Sequence, residues 1–195
     1  MATAFVSARR FSQAEFSAWI ESESRYLPGR YELIDGHIVV TPPTRPQHGV
    51  LNIHIGALLS RYVNEHRLGK ILNGGYDLPS GDTLEPDVSF LSAASLAGVV
   101  FNDDVKGFCR VVPELAVEVL SRSTAHLDRN QKRVIYASNG VAEYWMVDPK
   151  RRSLSVLHLG ANGYEEPRIA TSGPIVSRVL PGLVLTVEEI FSSLD

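Results

Sequence analysis

Pro113-Glu114-Leu115-Ala116-Val117-Glu118-Val119-Leu120 is the stretch on which the reading of this chain turns. A run of Leu, Ala and Val behind a proline suits a strand buried on both faces. Glu118 stands in the middle of it. Side chains alternate across a strand, so Glu118 shares a face with Ala116 and Leu120, opposite Val117 and Val119. An unpaired carboxylate inside a core is costly and ends up paired, protonated or metal-bound. Either this strand carries a carboxylate with a task, or it is an edge strand and Glu118 faces water.

Outward from that strand, helical spacing covers residues 128–138 and Asn139-Gly140 closes it as a left-handed C-cap. Strand patterns follow at 143–148, 153–159 and 164–170, and precede at 70–78 and 87–91 with a turn at Gly81-Asp82. Residues 92–110 carry no clear pattern. Apolar residues Val50, Leu51, Ile55, Leu58, Leu59, Tyr62 and Val63 recur at helical spacing, so a helix spans 46–66, with Pro46 in its first turn and Gly69 ending it. Asp35-Gly36 lies between the apolar runs of 31–40 and marks a hairpin. Ser12 and Glu15 have capping-box spacing with Phe11 and Phe16 as a staple; Thr186 and Glu189, with Leu185 and Ile190, repeat the device at the last helix. Strands before and after a central helix make this a mixed α/β (α+β) chain with an N-terminal helix and hairpin.

The 195 residues are 44% hydrophobic and 21% charged, which suits one folded domain over 1–195 rather than a disordered chain. Cys109 is the only cysteine, so an intrachain disulfide and a Cys-based zinc site are excluded. The formal charge of −3 excludes a binder that holds nucleic acid by overall positive charge. The chain has no long apolar run to span a membrane and no secretory signal at Met1 to Arg10, so a cytoplasmic location is expected.

Glu118 has company. Asp87 opens Asp-Val-Ser-Phe-Leu directly after Pro86, and Glu32 lies in the hairpin between Tyr31 and Leu33. Lys132 lies on the helix after Glu118, with Asp128 and Tyr136 one turn away on the same face. If the carboxylates converge, two charges 4 Å apart repel by about 4 kcal/mol at an effective dielectric near 20. A divalent cation removes that cost, and a carboxylate-rich, imidazole-poor set suits Mg²⁺ or Mn²⁺. With a lysine to hold water or balance phosphate charge, these parts suit phosphodiester hydrolysis. Taken singly, Asp87 also reads as a turn residue and Lys132 as a surface lysine.

Other residues have plainer readings. His48 and His54 are six apart, which does not align two ligands on a helix face; His48 reads as a cap, a surface residue or a phosphate contact. Arg122, Arg129 and Arg133 read as surface residues or phosphate contacts. Ser121-Arg122-Ser123-Thr124 reads as a helix cap, and Lys150-Arg151-Arg152 as a solvated turn. Of Tyr144 and Trp145, adjacent in a strand, one is expected in the core and the other exposed or at an interface. His158 has no partner pattern, and Cys109 is expected to be inert.

Pro86-Asp87-Val88, Val117-Glu118-Val119-Leu120-Ser121, Lys132, Tyr136 and the run Gly140-Val141-Ala142-Glu143-Tyr144-Trp145-Met146-Val147-Asp148-Pro149 together resemble the Uma2 family of endonucleases. Tyr31-Glu32-Leu33-Ile34-Asp35-Gly36 and Pro181-Gly182-Leu183 extend the resemblance to about residues 11–192. The family belongs to the PD-(D/E)xK superfamily. The resemblance implies a restriction-endonuclease-like central mixed sheet flanked by helices. It implies that Asp87, Glu118 and the backbone carbonyl of Val119 hold Mg²⁺ or Mn²⁺, that Lys132 is the catalytic lysine, and that Glu32 is the N-terminal acidic residue of the site. The lysine that the superfamily carries two residues after the glutamate is Leu120 here, and Lys132 takes its place from the neighbouring helix. The implied activity is metal-dependent cleavage of DNA; a small domain that cuts a duplex is expected to act as a homodimer, with one site for each strand. A non-catalytic nucleic-acid-binding or assembly protein that keeps the fold is the alternative, favoured by the acidic net charge.

Overall fold

A computed structural model describes residues 5–23, 29–43, 45–99 and 108–195. After β1 (Phe5–Val6), helix α1 (Gln13–Glu23) opens on the predicted capping box: the Ser12 amide and hydroxyl donate to Glu15 Oε2 at 2.8 and 3.0 Å. Strands β2 (Arg30–Ile34) and β3 (His37–Thr41) form the hairpin. Asp35 and Gly36 take φ of 50° and 74°, the left-handed pair that a two-residue hairpin turn needs. Helix α2 (Pro46–Glu65) ends at His66, before Gly69. Arg67 makes the turn at φ 54°, and Gly69 already belongs to β4 (Gly69–Leu72), where a Cβ would meet the Leu91 carbonyl oxygen at 2.0 Å.

The expected strand over 70–78 is broken into β4 and β5 (Tyr76–Asp77). In the break, Asn73 Nδ2 donates to the Asp87 carbonyl at 2.7 Å, and Gly75 packs where a Cβ would stand 2.2 Å from the Phe108 ring. Then follow β6 (Thr83–Leu84), β7 (Val88–Ser92), the short helix α3 (Ala93–Leu96) and β8 (Leu115–Val119). Of the unpatterned 92–110 stretch, residues 100–107 lie outside the described residues. The central helix starts earlier than position 128, because the Ser121 carbonyl and hydroxyl accept the amides of Ala125 and Thr124. It runs as α4 (Ala125–Leu127), one π-helical turn (Asp128–Lys132) and α5 (Arg133–Ser138). Gly140, at φ 83°, closes it, with the Val141 amide reaching back to the Tyr136 carbonyl. Strands β9 (Glu143–Asp148) and β10 (Ser153–Gly160) follow; the strand expected at 164–170 is two short pieces, β11 (Gly163–Tyr164) and β12 (Arg168–Ala170). Helix α6 (Val187–Phe191) carries the second capping box.

The larger sheet has the order β11-β10-β9-β8-β7-β4, with β12 also on β10. Its pairs are antiparallel except β8 with β9, which the central helix joins as a crossover. This is the predicted central mixed sheet with helices against it. The hairpin is not part of it: β1-β3-β2-β6-β5 form a second, antiparallel sheet, so Glu32 approaches from a different sheet than Asp87 and Glu118. On one face of the central sheet Val117, Val119, Trp145 and Val147 pack with Leu51, Ile55, Leu59 and Val63 of α2. On the other, Ala116, Leu120, Tyr144 and Met146 pack with Tyr136 and Val141. Tyr144 and Trp145 are both fully buried within the chain, against the expectation that one would be exposed or at an interface, because both faces of the sheet are covered. Among the described residues no helix is long and apolar enough to cross a membrane.

Candidate active site

Strand register brings the first two acids together. β7 runs antiparallel to β8 with Val88 opposite Val117, which sets Asp87, one residue before β7, beside Glu118. The central helix leaves β8 and packs back on the Ala116/Leu120 face, carrying Asp128, Lys132 and Tyr136 towards Glu118. Lys132 Nζ lies 2.9 Å from Glu118 Oε1, 2.8 Å from Glu32 Oε1 and 3.5 Å from Asp128 Oδ1. Tyr136 donates its hydroxyl to the same Glu118 oxygen at 3.0 Å. Asp128 and Lys132 are the first and last residues of the π turn, a widening often found at functional sites. Glu32, Asp87, Glu118, Asp128 and Lys132 are each 2% exposed or less, so Lys132 is no surface lysine.

Asp87 is held from all sides. Its Oδ2 accepts the Val119 amide at 2.7 Å and faces His48 Nε2 at 3.1 Å. Its Oδ1 accepts Asn52 Nδ2 at 2.9 Å and the Arg30 guanidinium. At Val119, the residue whose carbonyl was the expected ligand, it is the amide that meets Asp87. Arg30 also donates to the Glu85 carbonyl at 3.0 Å, and lies 3.9 Å from Glu118 Oε2 and 4.0 Å from Glu85 Oε2. Glu32 accepts the Glu85 amide at 2.9 Å, from the segment that runs from β6 to β7.

Arg30, Asn52 and Glu85 are additions that the sequence reading missed, and His48 is a correction: it is buried against Asp87, not a cap or surface residue. Two signals were available. His48 and Asn52 are one helical turn apart beside an apolar stripe, and Arg30 shares a strand face with Glu32. The arginines of the central helix do not join the cluster. Arg129 bonds Asp148 at 2.9 Å, and neither Arg122 nor Arg133 contacts a carboxylate of the cluster among the described residues. Lys150-Arg151-Arg152 is the expected turn, with the amides of Lys150 and Arg151 on Asp148. His158 Nε2 lies 3.3 Å from buried Glu143, away from the site, without the geometry of a hydrogen bond. Burial pushes the Cys109 thiol up and away from its reactive thiolate form.

The cluster holds five carboxylates (Glu32, Glu85, Asp87, Glu118, Asp128) and two permanent cations (Arg30, Lys132), and its acids differ sharply. Burial raises Asp87, but the His48 bond and the Arg30 charge outweigh it and hold the carboxyl well below the usual range. Burial pushes Glu118 well up; Lys132 opposes this, while Asp128, Asp87 and Glu32 add to it. Burial likewise raises Asp128, and pushes Glu85 up to about 7 with help from Glu32. Burial alone would lower Lys132, but Glu118, Glu32 and Asp128 hold it well above the ordinary range, fully charged.

This donor set fits a hard divalent cation. The acids outnumber the cations, and neither oxygen of Asp128 has a hydrogen bond of good geometry, nor has Asn52 Oδ1 or His48 Nδ1. The arrangement itself is closed: among the described residues no three His, Cys, Asp or Glu side chains stand ready around one ion position. Arg30 lies between the two acids that the resemblance assigns to the metal.

Comparison with known proteins bears on the family and the fold. The Uma2 family model, described as "Putative restriction endonuclease", matches residues 14–188. Among solved structures, the crystal structure of a "putative nuclease belonging to DUF820" from Anabaena variabilis ATCC 29413 superposes with a TM-score of 0.76 at 17% identity, covering 95% of this chain and 99% of that one. At that identity the likeness shows a shared fold. No curated protein matches.

Proposed function

This chain belongs to the Uma2 family, and from that membership and its carboxylate–lysine cluster we propose that it is a metal-dependent endonuclease hydrolysing phosphodiester bonds in DNA. The observation that carries the reading is the convergence of Asp87, Glu118 and Lys132, from two adjacent strands and the crossover helix, in one buried cluster with more acids than cations. Asp87 and Glu118 are the ligands for Mg²⁺ or Mn²⁺, with the backbone of Val119 beside them. When bound, such an ion lowers the pKa of a water and screens the phosphate.

The rest of the work falls to the chain's own groups. Lys132 presents a compact ammonium, able to orient the attacking water or to balance charge on the phosphate. Glu32 and Asp128 keep that ammonium charged and in place, and Tyr136 fixes the Glu118 oxygen it shares with Lys132. His48 and Asn52 orient Asp87 from α2. The protein acts as one cytoplasmic domain, and a homodimer supplies one site for each strand of a duplex.

Incubation of the purified protein with plasmid and with a single-stranded oligonucleotide, in Mg²⁺ and in Mn²⁺, tests this beside Asp87→Ala and Glu118→Ala. Cleavage by wild type alone is the expected result. Absence of metal-dependent cleavage on every substrate would favour the non-catalytic nucleic-acid-binding reading, which the net charge of −3 also suits.

A further inference from the structure

We propose that Arg30 is a built-in counter-cation: its guanidinium holds the place between Asp87 and Glu118 that a divalent ion takes, and it leaves when the ion enters. This rests on the metal-dependent reading above. The guanidinium bonds Asp87 Oδ1 and lies 3.9 Å from Glu118 Oε2, so one planar cation touches both acids. Glu118 Oε1 is taken by Lys132 and Tyr136; among the described residues the cation facing Oε2 is Arg30.

The two permanent cations of the site differ in a way that assigns them different roles. Lys132 is sealed in, 2% exposed at its side chain and ringed by three carboxylates. Arg30 is 21% exposed while its acid partners are 1% and 3% exposed, so it stands at the rim with a path to solvent that they lack. Glu85 lies on that rim, half-buried, with Oε2 4.0 Å from Arg30 Nε, and offers the guanidinium a second acceptor when Asp87 lets go. Exchange of a monovalent for a divalent cation at this position also reduces the excess of acids over cations. Arg30 therefore stabilises the metal-free site and competes with the ion for it.

The test combines Mn²⁺ titration with a structure. Calorimetric titration of Mn²⁺ into wild type, Arg30→Gln and Arg61→Gln should show Arg30→Gln binding about tenfold tighter or more, the factor that loss of a modest competitor represents. Arg61→Gln, which removes the same charge from an exposed position on α2, should match wild type. A crystal structure of wild type with Mn²⁺ should place the anomalous peak between Asp87 and Glu118, with Arg30 no longer bonded to Asp87. Equal or weaker binding by folded Arg30→Gln, or a peak there with the Arg30–Asp87 bond intact, overturns the role of Arg30 and leaves the metal site standing. If Arg30→Gln fails to fold, the wild-type structure alone decides. Absence of Mn²⁺ binding by wild type and Arg30→Gln alike removes the metal-dependent reading, and this inference with it.

Discussion

Lys132 Nζ lies 2.9 Å from Glu118 Oε1 with both side chains closed off from solvent. A lysine so placed holds the fold together as well as standing in the proposed site. Lys132→Met should cost about 3–5 kcal/mol of stability at neutral pH without metal, because Glu118, Glu32 and Asp128 lose the charge that offsets their burial. Urea denaturation measures this, and an unchanged midpoint would contradict it. Mn²⁺ binding should be intact or tighter, since the ammonium repels a cation, while cleavage should fall about 10²–10³-fold.

Asp87→Ala removes the acceptor shared by Arg30, Asn52, His48 and the Val119 amide. Expected outcomes are a loss of about 3–5 kcal/mol and no rise in melting temperature with Mg²⁺. Wild type at a Mg²⁺ concentration 100 times its Kd should gain about 2.7 kcal/mol, reversed by chelation. A Mg²⁺-induced shift as large in Asp87→Ala as in wild type would place the ion elsewhere.

Glu85 sets a pH dependence for the metal-free protein. Its folded pKa is raised from 4.5 to about 7, first by burial and then by Glu32. The folded state thus binds this proton more tightly than the unfolded state, so the contribution is fully present below the unfolded value and is lost as pH rises through about 7. Glu118 and Asp128, also raised by burial, act with the same sign. Asp87 is depressed, so its contribution fades only as pH falls below the usual carboxylate range. Without metal the protein should melt at a higher temperature at pH 6 than at pH 8, and Glu85→Gln should reduce the difference. Melting curves in chelated buffers check both statements.

Thr186→Ala probes the fold without the site. Thr186 accepts the Glu189 amide at 3.2 Å and its own amide donates to Glu189 Oε2 at 2.8 Å, capping α6 beside Leu185 and Ile190 in the core. Loss of the cap should cost about 1 kcal/mol in urea denaturation and leave Mn²⁺ affinity unchanged.

Glu118 was legible because alternation in Leu115–Val119 is a local property, and so were the two capping boxes and the Asp35-Gly36 turn. Its pairing with Asp87 and Lys132 was read by resemblance. Arg30 and Glu85 were not read: Arg30 shares a strand face with Glu32, but only the approach of β2 to the chain before β7 makes it and Glu85 parts of one cluster. Tyr144 and Trp145 were misjudged for a related reason, since burial of both faces depends on helices distant in sequence.

The sequence by itself determined which side chain each strand and helix turns to which face, because backbone stereochemistry sets those periods residue by residue. It thereby marked Glu118 as a carboxylate that needs a partner. The tertiary structure alone decided who the partners are. The second sheet brings Glu32 to Lys132, α2 brings His48 and Asn52 to Asp87, and Arg30 comes to rest between Asp87 and Glu118. Coulomb energy and burial depend on distances through space, and these distances join residues far apart along the chain.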